Sequence, residues 1–193
     1  MEVFSHIKYV IGITLSFSIA HLLRGTVKFI QHPNRVKPYI THLLWVLYMF
    51  LTLVHFWWWE FKLTGITEWH FFTYFFIILY ITNYYVICSL LYPDDINDYK
   101  DYKDYYFSRR KWLFSFFSIA FCADFIDTLI KGKTYFDSLG WEFPARNIIH
   151  LVFCIVAINI KNPKFHFVMV VLFIVYELCY IARLYDIETV LKH

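Results

Sequence analysis

The sequence has little charge and few residues that interrupt a helix. Only 17% of the 193 residues are charged, and there are 5 glycines and 5 prolines. Hydrophobic residues make up 60% of the chain, whereas a soluble domain usually contains about 45–50%. This composition excludes an ordinary soluble domain and predicts a polytopic membrane protein.

Sequence motifs of catalysis and metal binding are also missing. The chain contains no Walker motif, nucleophile elbow, HExxH or CxxCH. The four cysteines, Cys88, Cys122, Cys154 and Cys179, form no CxxC pair, so we interpret them as packing residues. The net charge of +3 gives no support for direct nucleic-acid binding. We therefore expect a protein that is not an enzyme and that uses neither a cofactor nor a metal ion.

Long apolar runs predict an all-α fold with about six transmembrane helices in a single membrane domain. A helix needs about 20 residues to cross a hydrocarbon layer of roughly 30 Å. The predicted spans are Tyr9–Ile30, Tyr39–Trp59, Trp69–Tyr92, Trp112–Ile130, Phe143–Ile160 and Phe165–Tyr185. All five prolines fall at the ends of these helices, where a missing amide donor does little harm. The first run has no cleavage site, so we interpret it as a retained helix.

The distribution of basic residues predicts the topology. Most lysines and arginines lie in or beside the first, third and fifth connections, which places both termini outside the cytoplasm. Trp57, Trp58, Trp59 and Trp69 cluster at the opposite side, as in the aromatic belt of a membrane protein.

Two segments of the chain resemble each other. LSFSIAHLLRGTVKFI and FSFFSIAFCADFIDTLI align through residues 18–20 and 118–120. We interpret the chain as two parallel three-helix halves, residues 9–92 and 112–185, joined by a cytoplasmic loop at residues 93–111. Chance similarity between apolar helices is the alternative.

Under this alignment Arg24 corresponds to Asp124, and Asp124 shares a helix face with Asp127. A charge in hydrocarbon costs at least about 2.5–3.5 kcal/mol on insertion scales. We therefore expect the two carboxylates to face the bundle interior and to meet Arg24, with His21 or Arg183 as further partners. One arginine cannot neutralise two carboxylates, which predicts a bound proton, a second cation or water at the site.

Other polar side chains also fall within the predicted spans. Glu177 is expected to pair with a histidine or Arg146, with an ion pathway as the alternative. His42 and His55 are thirteen residues apart on one helix face, a spacing that bis-histidine haem helices also use, but we favour hydrogen bonds between helices. The side chains expected to form such polar contacts are His42, His55, Asn83, Arg146 and His150.

The third connection ends in a basic cluster. Arg109, Arg110 and Lys111 follow a stretch rich in aspartate, lysine and tyrosine. Such a cluster fixes topology against anionic lipid. As part of the largest cytoplasmic loop, it is also the best candidate for docking a soluble partner.

Four stretches carry a resemblance to a known family. They are Arg35–Tyr39 with His42–Val46, Phe56–Trp58, Leu90–Asp95 and Tyr105–Arg110. Together they resemble the small multi-pass membrane accessory proteins of type VI-B CRISPR–Cas loci and their bacterial relatives. The resemblance implies the bacterial inner membrane, a role in antiviral defence, and a cytoplasmic defence nuclease or signalling protein as partner.

Three classes of function follow from these observations. The first is a non-enzymatic accessory protein that modulates CRISPR-type defence as a homo-oligomeric pore or channel. The alternative is a small three-plus-three transporter or proton-coupled carrier, and the third class is a structural or sensory membrane module. A carrier predicts a cavity within one protomer, whereas a pore predicts polar residues on a shared axis.

Overall fold

The computed structural model describes residues 2–33, 37–66 and 68–190, and all of their regular structure is helical. The α-helices are α1 (Glu2–Gln31), α2 (Ile40–Trp59), α3 (Phe71–Leu91), α4 (Tyr102–Ile130), α5 (Lys133–Ser138), α6 (Glu142–Asn159) and α7 (Pro163–Val190). Short 3₁₀ segments cover Glu60–Gly65 and Ile96–Asp98. Six helical segments are long and apolar enough to cross a membrane, which confirms the all-α polytopic fold.

The start of α4 differs from the prediction. The helix begins ten residues before Trp112, because the Asp101 side chain caps it and accepts a hydrogen bond from the Asp104 amide at 2.8 Å. The predicted loop at residues 93–111 is therefore shorter, and its basic cluster lies on α4. The predicted fourth connection contains α5, which begins after Gly132 at a φ of 118° that favours glycine.

Contacts between helices fix their relative directions. The C-terminal parts of α1 and α3 meet where Thr26 Oγ1 and Tyr92 OH are 2.8 Å apart, so these helices run parallel. In contrast, α4 runs antiparallel to α3, since Tyr105 OH donates to Leu90 O and Asn83 Nδ2 donates to Phe116 O. It follows that α4 is antiparallel to α1.

This geometry corrects the expectation of two parallel halves. Each half contains three membrane crossings, and an odd number of crossings reverses the direction of the second half. Helices from both halves also pack together, because α3 contacts α4 and α2 contacts α7. The boundaries at residues 9–92 and 112–185 stay a prediction.

The centre of the bundle is aromatic. Trp45 is fully buried, and its ring lies within 5.2–5.6 Å of Tyr48, Phe114, Phe117 and Phe173. Large apolar side chains cover the outward faces of the helices, as a lipid-facing surface requires.

The bundle has two ends of different character. We call one the tryptophan end, formed by residues 57–62, 131–142 and 180–185, and the other the basic end, formed by residues 92–112 and 160–166. Trp58 and Trp141 are exposed at the tryptophan end, as expected for an interfacial belt. Trp59 departs from the predicted belt, because it is buried and its ring stacks on Phe143 at 6.2 Å.

Candidate functional site: buried charges at the tryptophan end

Two carboxylates share one ammonium group where α2 and α4 end. Lys131 Nζ donates to Asp127 Oδ2 at 2.5 Å and to Glu60 Oε1 at 2.8 Å. The side chains of Lys131 and Asp127 are 0% exposed, and that of Glu60 is 4% exposed. Helix geometry explains the arrangement, since Lys131 lies one turn after Asp127 and Glu60 directly follows α2. We call these three residues the carboxylate–lysine triad.

The ammonium of the triad stays charged. Burial alone lowers the pKa of Lys131, but the adjacent carboxylates of Asp127 and Glu60 raise it above its ordinary value. The Lys131 ammonium also lies 5.5 Å from the centre of the Trp59 ring, a cation–π distance.

A second ion pair lies one turn earlier on α4. Asp124 Oδ2 accepts hydrogen bonds from Arg146 at 2.6 Å and from Asn147 Nδ2 at 2.9 Å. The Arg146 guanidinium lies 5.2 Å from the ring centre of Phe143 and 4.9 Å from that of Tyr180. The first turns of α6 therefore supply both the charge and the amide that hold Asp124.

The third pair joins α2 to α7. His55 Nδ1 and Glu177 Oε1 are 2.5 Å apart, and both side chains are 8% exposed. The other ring nitrogen of His55 lies 3.1 Å from Tyr185 OH. The prediction that Glu177 pairs with a histidine is confirmed.

A small cavity of about 50 Å³ separates the second and third pairs. Its lining consists of Tyr48, Thr52, His55, Phe56, Trp59, Tyr84, Phe121, Asp124, Arg146, His150 and Glu177. A buried water needs roughly 10–15 Å³ of such space. The cavity therefore has room for a few waters or a small ion, but not for a metabolite.

A larger cleft of about 870 Å³ opens beyond this cavity at the tryptophan end. Trp59 lines both spaces. The rim of the cleft carries an exposed ion pair in which Arg183 donates to Glu142 Oε1 at 2.5 Å.

Acidic groups outnumber permanent cations within the triad and the two buried pairs. The acidic side chains are Glu60, Asp124, Asp127 and Glu177, and the permanent cations are Lys131 and Arg146, with His55 able to take a proton. Removing an unpaired charge from water costs several kcal/mol. Neutrality therefore requires bound protons or a bound cation in addition to the two fixed cations.

The predicted pair between Arg24 and Asp124 is wrong. Because α1 and α4 are antiparallel, Arg24 lies near the basic end, where it is exposed, whereas Asp124 lies near the tryptophan end and pairs with Arg146. His21 is also remote from the carboxylates, and its ring meets that of Tyr92 edge to face. Arg183 pairs with Glu142 and not with either aspartate. The expectation that Asp124 and Asp127 point into the bundle is confirmed.

Some of the other predicted polar contacts join two helices, and one lies within a single helix. His42 Nε2 lies 2.5 Å from Leu91 O, and Asn83 Nδ2 donates to Phe116 O at 3.2 Å, so both join two helices as expected. His150 instead bonds to the Arg146 carbonyl of its own helix at 2.8 Å. The described residues contain no group of three or more histidines, cysteines or acidic residues that could hold a metal ion.

The basic cluster is only partly available to a partner. Arg109 is exposed and donates to Tyr99 OH at 2.7 Å, and Lys111 is exposed as well. Arg110, however, is 6% exposed and donates to the Phe107 carbonyl of its own helix. The prediction that all three residues form one docking loop is therefore corrected, since α4 turns Arg110 inward.

Sequence reasoning missed Glu60, Lys131, Asn147 and the buried role of Trp59. One signal was present, because Asp127 and Lys131 have the i, i+4 spacing of a helical ion pair. Glu60 gave no such signal, since its partner comes from a distant part of the chain.

The chain was compared with protein-family models, curated proteins and solved structures, and none of them matches.

Proposed function

We propose that this multi-pass membrane protein is a carrier that transports protons along a path through the buried charges at the tryptophan end. One observation carries the proposal: an excess of buried carboxylates borders a polar cavity inside a single chain. Ionisable residues within a membrane segment are costly and typically mark ion pathways and proton relays.

The position of the charges favours a carrier over an oligomeric pore. In a pore formed by several copies, polar residues are expected on the outward face that lines the shared axis. Here the charged side chains of Asp124, Asp127 and Glu177 point into the bundle, and large apolar side chains dominate the outward faces of the spans. A path inside one protomer suits this arrangement.

A purely structural role for the charges is the competing explanation. Ion pairs that only fix helix packing need equal numbers of cations and anions. The triad instead places two carboxylates on one lysine, which a packing role does not require.

The role in antiviral defence stays a prediction from the sequence resemblance alone. The homo-oligomeric pore and the cytoplasmic nuclease or signalling partner also stay predictions.

Proton uptake into proteoliposomes tests the proposed function. A pH-sensitive dye inside the liposomes reports uptake driven by an imposed membrane potential, negative inside. We expect wild-type protein to acidify the lumen faster than protein-free liposomes do, and Asp124→Asn to slow acidification at least tenfold. The matched control is Glu142→Gln, which removes an exposed carboxyl at the same end of the bundle.

Two results would contradict the proposal. One is wild-type uptake equal to that of protein-free liposomes, with correctly folded protein in the membrane. The other is uptake that Asp124→Asn leaves unchanged, since the path would then avoid the cavity.

A further inference from the structure

The carboxylate–lysine triad contains two oxygen atoms that have no hydrogen-bond partner among the described residues. They are Glu60 Oε2 and Asp127 Oδ1, and both atoms are buried. The second oxygen of each carboxyl group binds Lys131. A buried carboxylate oxygen without a donor is costly, whereas a protonated carboxyl needs fewer donors and carries no charge.

The triad itself contains one cation fewer than it has carboxyl groups. Glu60, Asp127 and Lys131 together carry one net negative charge when both carboxyls are ionised. Arg146 does not supply the missing charge, because it is already bound to Asp124. The other titratable groups that line this end are Lys8 on α1, Tyr48 and His55 on α2, Lys62 after α2, Tyr80 and Tyr84 on α3, Asp124 on α4, Tyr135 on α5, Glu142, Arg146 and His150 on α6, and Glu177, Tyr180, Arg183 and Tyr185 on α7.

A narrow crevice at the surface of the bundle reaches the triad residue Glu60. Glu60 lines a crevice of about 10 Å³ between α1 and the end of α2, next to Lys8 and Trp57. That space is roughly the minimum that one water molecule occupies. Trp59, which directly precedes Glu60, lines the inner cavity that contains Asp124. The triad therefore adjoins both the crevice and the wall of the cavity.

We propose that Glu60 and Asp127 hold one shared, exchangeable proton beside Lys131, which they take from water in the crevice lined by Lys8. Binding breaks one O–H bond of a hydronium ion in that water and forms one O–H bond on a carboxylate oxygen, and release reverses both changes. Two carboxyl groups in one site ionise unequally, because the second negative charge is opposed by the first. The inference deepens the proposed function and rests on it, since it names the residues that hold the transported proton.

Infrared spectroscopy of the purified protein tests the proposal without any transport. A protonated carboxyl absorbs in the carboxylic-acid C=O region, and the band shifts when its hydrogen is replaced by deuterium. We expect wild-type protein at neutral pH to show such a band, and Glu60→Gln and Asp127→Asn each to lose one carboxyl equivalent of it. Either substitution leaves one carboxylate for one lysine, which removes the need for a proton while the side chain keeps its shape.

Control variants separate the triad from other acids. Glu142→Gln, at an exposed carboxyl, should leave the band unchanged. Lys131→Met combined with Asp127→Asn should keep one protonated carboxyl, because Glu60 then has no cation nearby. Equal carboxylic-acid absorption in wild type and Glu60→Gln would overturn the proposal, and so would a band that does not shift in heavy water.

The uptake and infrared experiments distinguish failure of the proposed carrier from failure of the proposed proton site. Proton uptake in proteoliposomes without a triad band would leave the carrier intact and reject the triad as its proton site. A triad band without any uptake would retain the proton site and reject the carrier.

Discussion

The two ends of the bundle satisfy their buried polar groups in different ways. Buried polar groups at the basic end are mostly neutral and bond to each other or to backbone carbonyls, as in Tyr92 with Thr26, His42 with Leu91 O, and His166 with Tyr106 and Ile160 O. The tryptophan end instead buries the carboxylate–lysine triad and two ion pairs, with an excess of acidic groups. Both patterns stabilise contacts between helices, but only the second contains acidic groups whose net charge changes when a proton binds.

Neutrality at the basic end is robust to pH. Burial raises the pKa of Tyr92 to about 12, so its hydroxyl stays protonated throughout the physiological range. Arg110 is the exception there, since it is buried and its guanidinium bonds to the Phe107 carbonyl. The comparison therefore predicts that substitutions at the tryptophan end have larger effects on stability and on pH dependence.

Lys131→Met is expected to have the largest effect. Removing one partner of a buried ion pair costs about 3–5 kcal/mol, and here the loss leaves both Glu60 and Asp127 without a cation. Thermal unfolding in detergent micelles, followed by tryptophan fluorescence, should show a greatly lowered midpoint or no folded protein. Adding Glu60→Gln and Asp127→Asn removes the stranded charges and should restore most of the stability. A triple variant no more stable than Lys131→Met would contradict the triad as the cause.

Arg146→Gln should come next, with a loss of about 3 kcal/mol for a buried pair that has lost its cation. Asp124 keeps its hydrogen bond from Asn147, which limits the damage. The same unfolding measurement should show partial recovery in the double variant with Asp124→Asn. Arg183→Gln is the matched control, because its pair with Glu142 is exposed and should contribute little.

Gly25→Ala tests the basic end, where close packing and not charge is expected to stabilise the contact between α1 and α3. A Cβ atom at residue 25 would lie 2.3 Å from Tyr92 Cδ2, so α1 and α3 would have to move apart. Overpacking of this kind costs typically about 1–3 kcal/mol. Gly65→Ala is the control, since nothing lies within 4 Å of its Cβ position. Equal unfolding midpoints for the two variants would show that α1 and α3 do not pack this closely.

Tyr92→Phe should have the smallest effect, about 0.5–1.5 kcal/mol for one hydrogen bond. Thr26 keeps its bond to the Leu22 carbonyl, so no buried hydroxyl is left without a partner. The wild type should lose stability as the pH rises above about 10, where unfolded tyrosine ionises, because the folded side chain stays protonated up to about 12. Unfolding measured from neutral to alkaline pH should show a weaker alkaline loss in Tyr92→Phe. An identical alkaline loss would assign that pH dependence to other groups.

Much of the fold follows from simple sequence features. Long apolar runs give the six spans, and Asp101 followed by Asp104 carries the capping signal that starts α4 early. The burial of Asp124 and Asp127 follows from their position inside an apolar run. The identity of their partners does not, because helix order in the bundle depends on packing between distant segments.

The mistaken Arg24 pair shows where sequence reasoning fails and where it could have succeeded. The similar sequence segments suggested that residues 24 and 124 lie at equal depth in the membrane. Three helices cross the membrane before α4 begins, so α4 runs opposite to α1 and the two residues lie at opposite ends. Arg146 follows a short helix and a turn whose geometry the sequence does not specify. Glu60 and Lys131 meet only because α2 and α4 end at the same level.

Within a single turn, α4 presents Asp124 to α6 and Asp127, through Lys131, to the end of α2. The two aspartates therefore connect α4 to two other helices at the same level of the bundle. A rotation of α4 about its long axis would displace both carboxylates together and change both sets of contacts. A change in the charge of either carboxylate would therefore affect the contacts of α4 with both α6 and the end of α2.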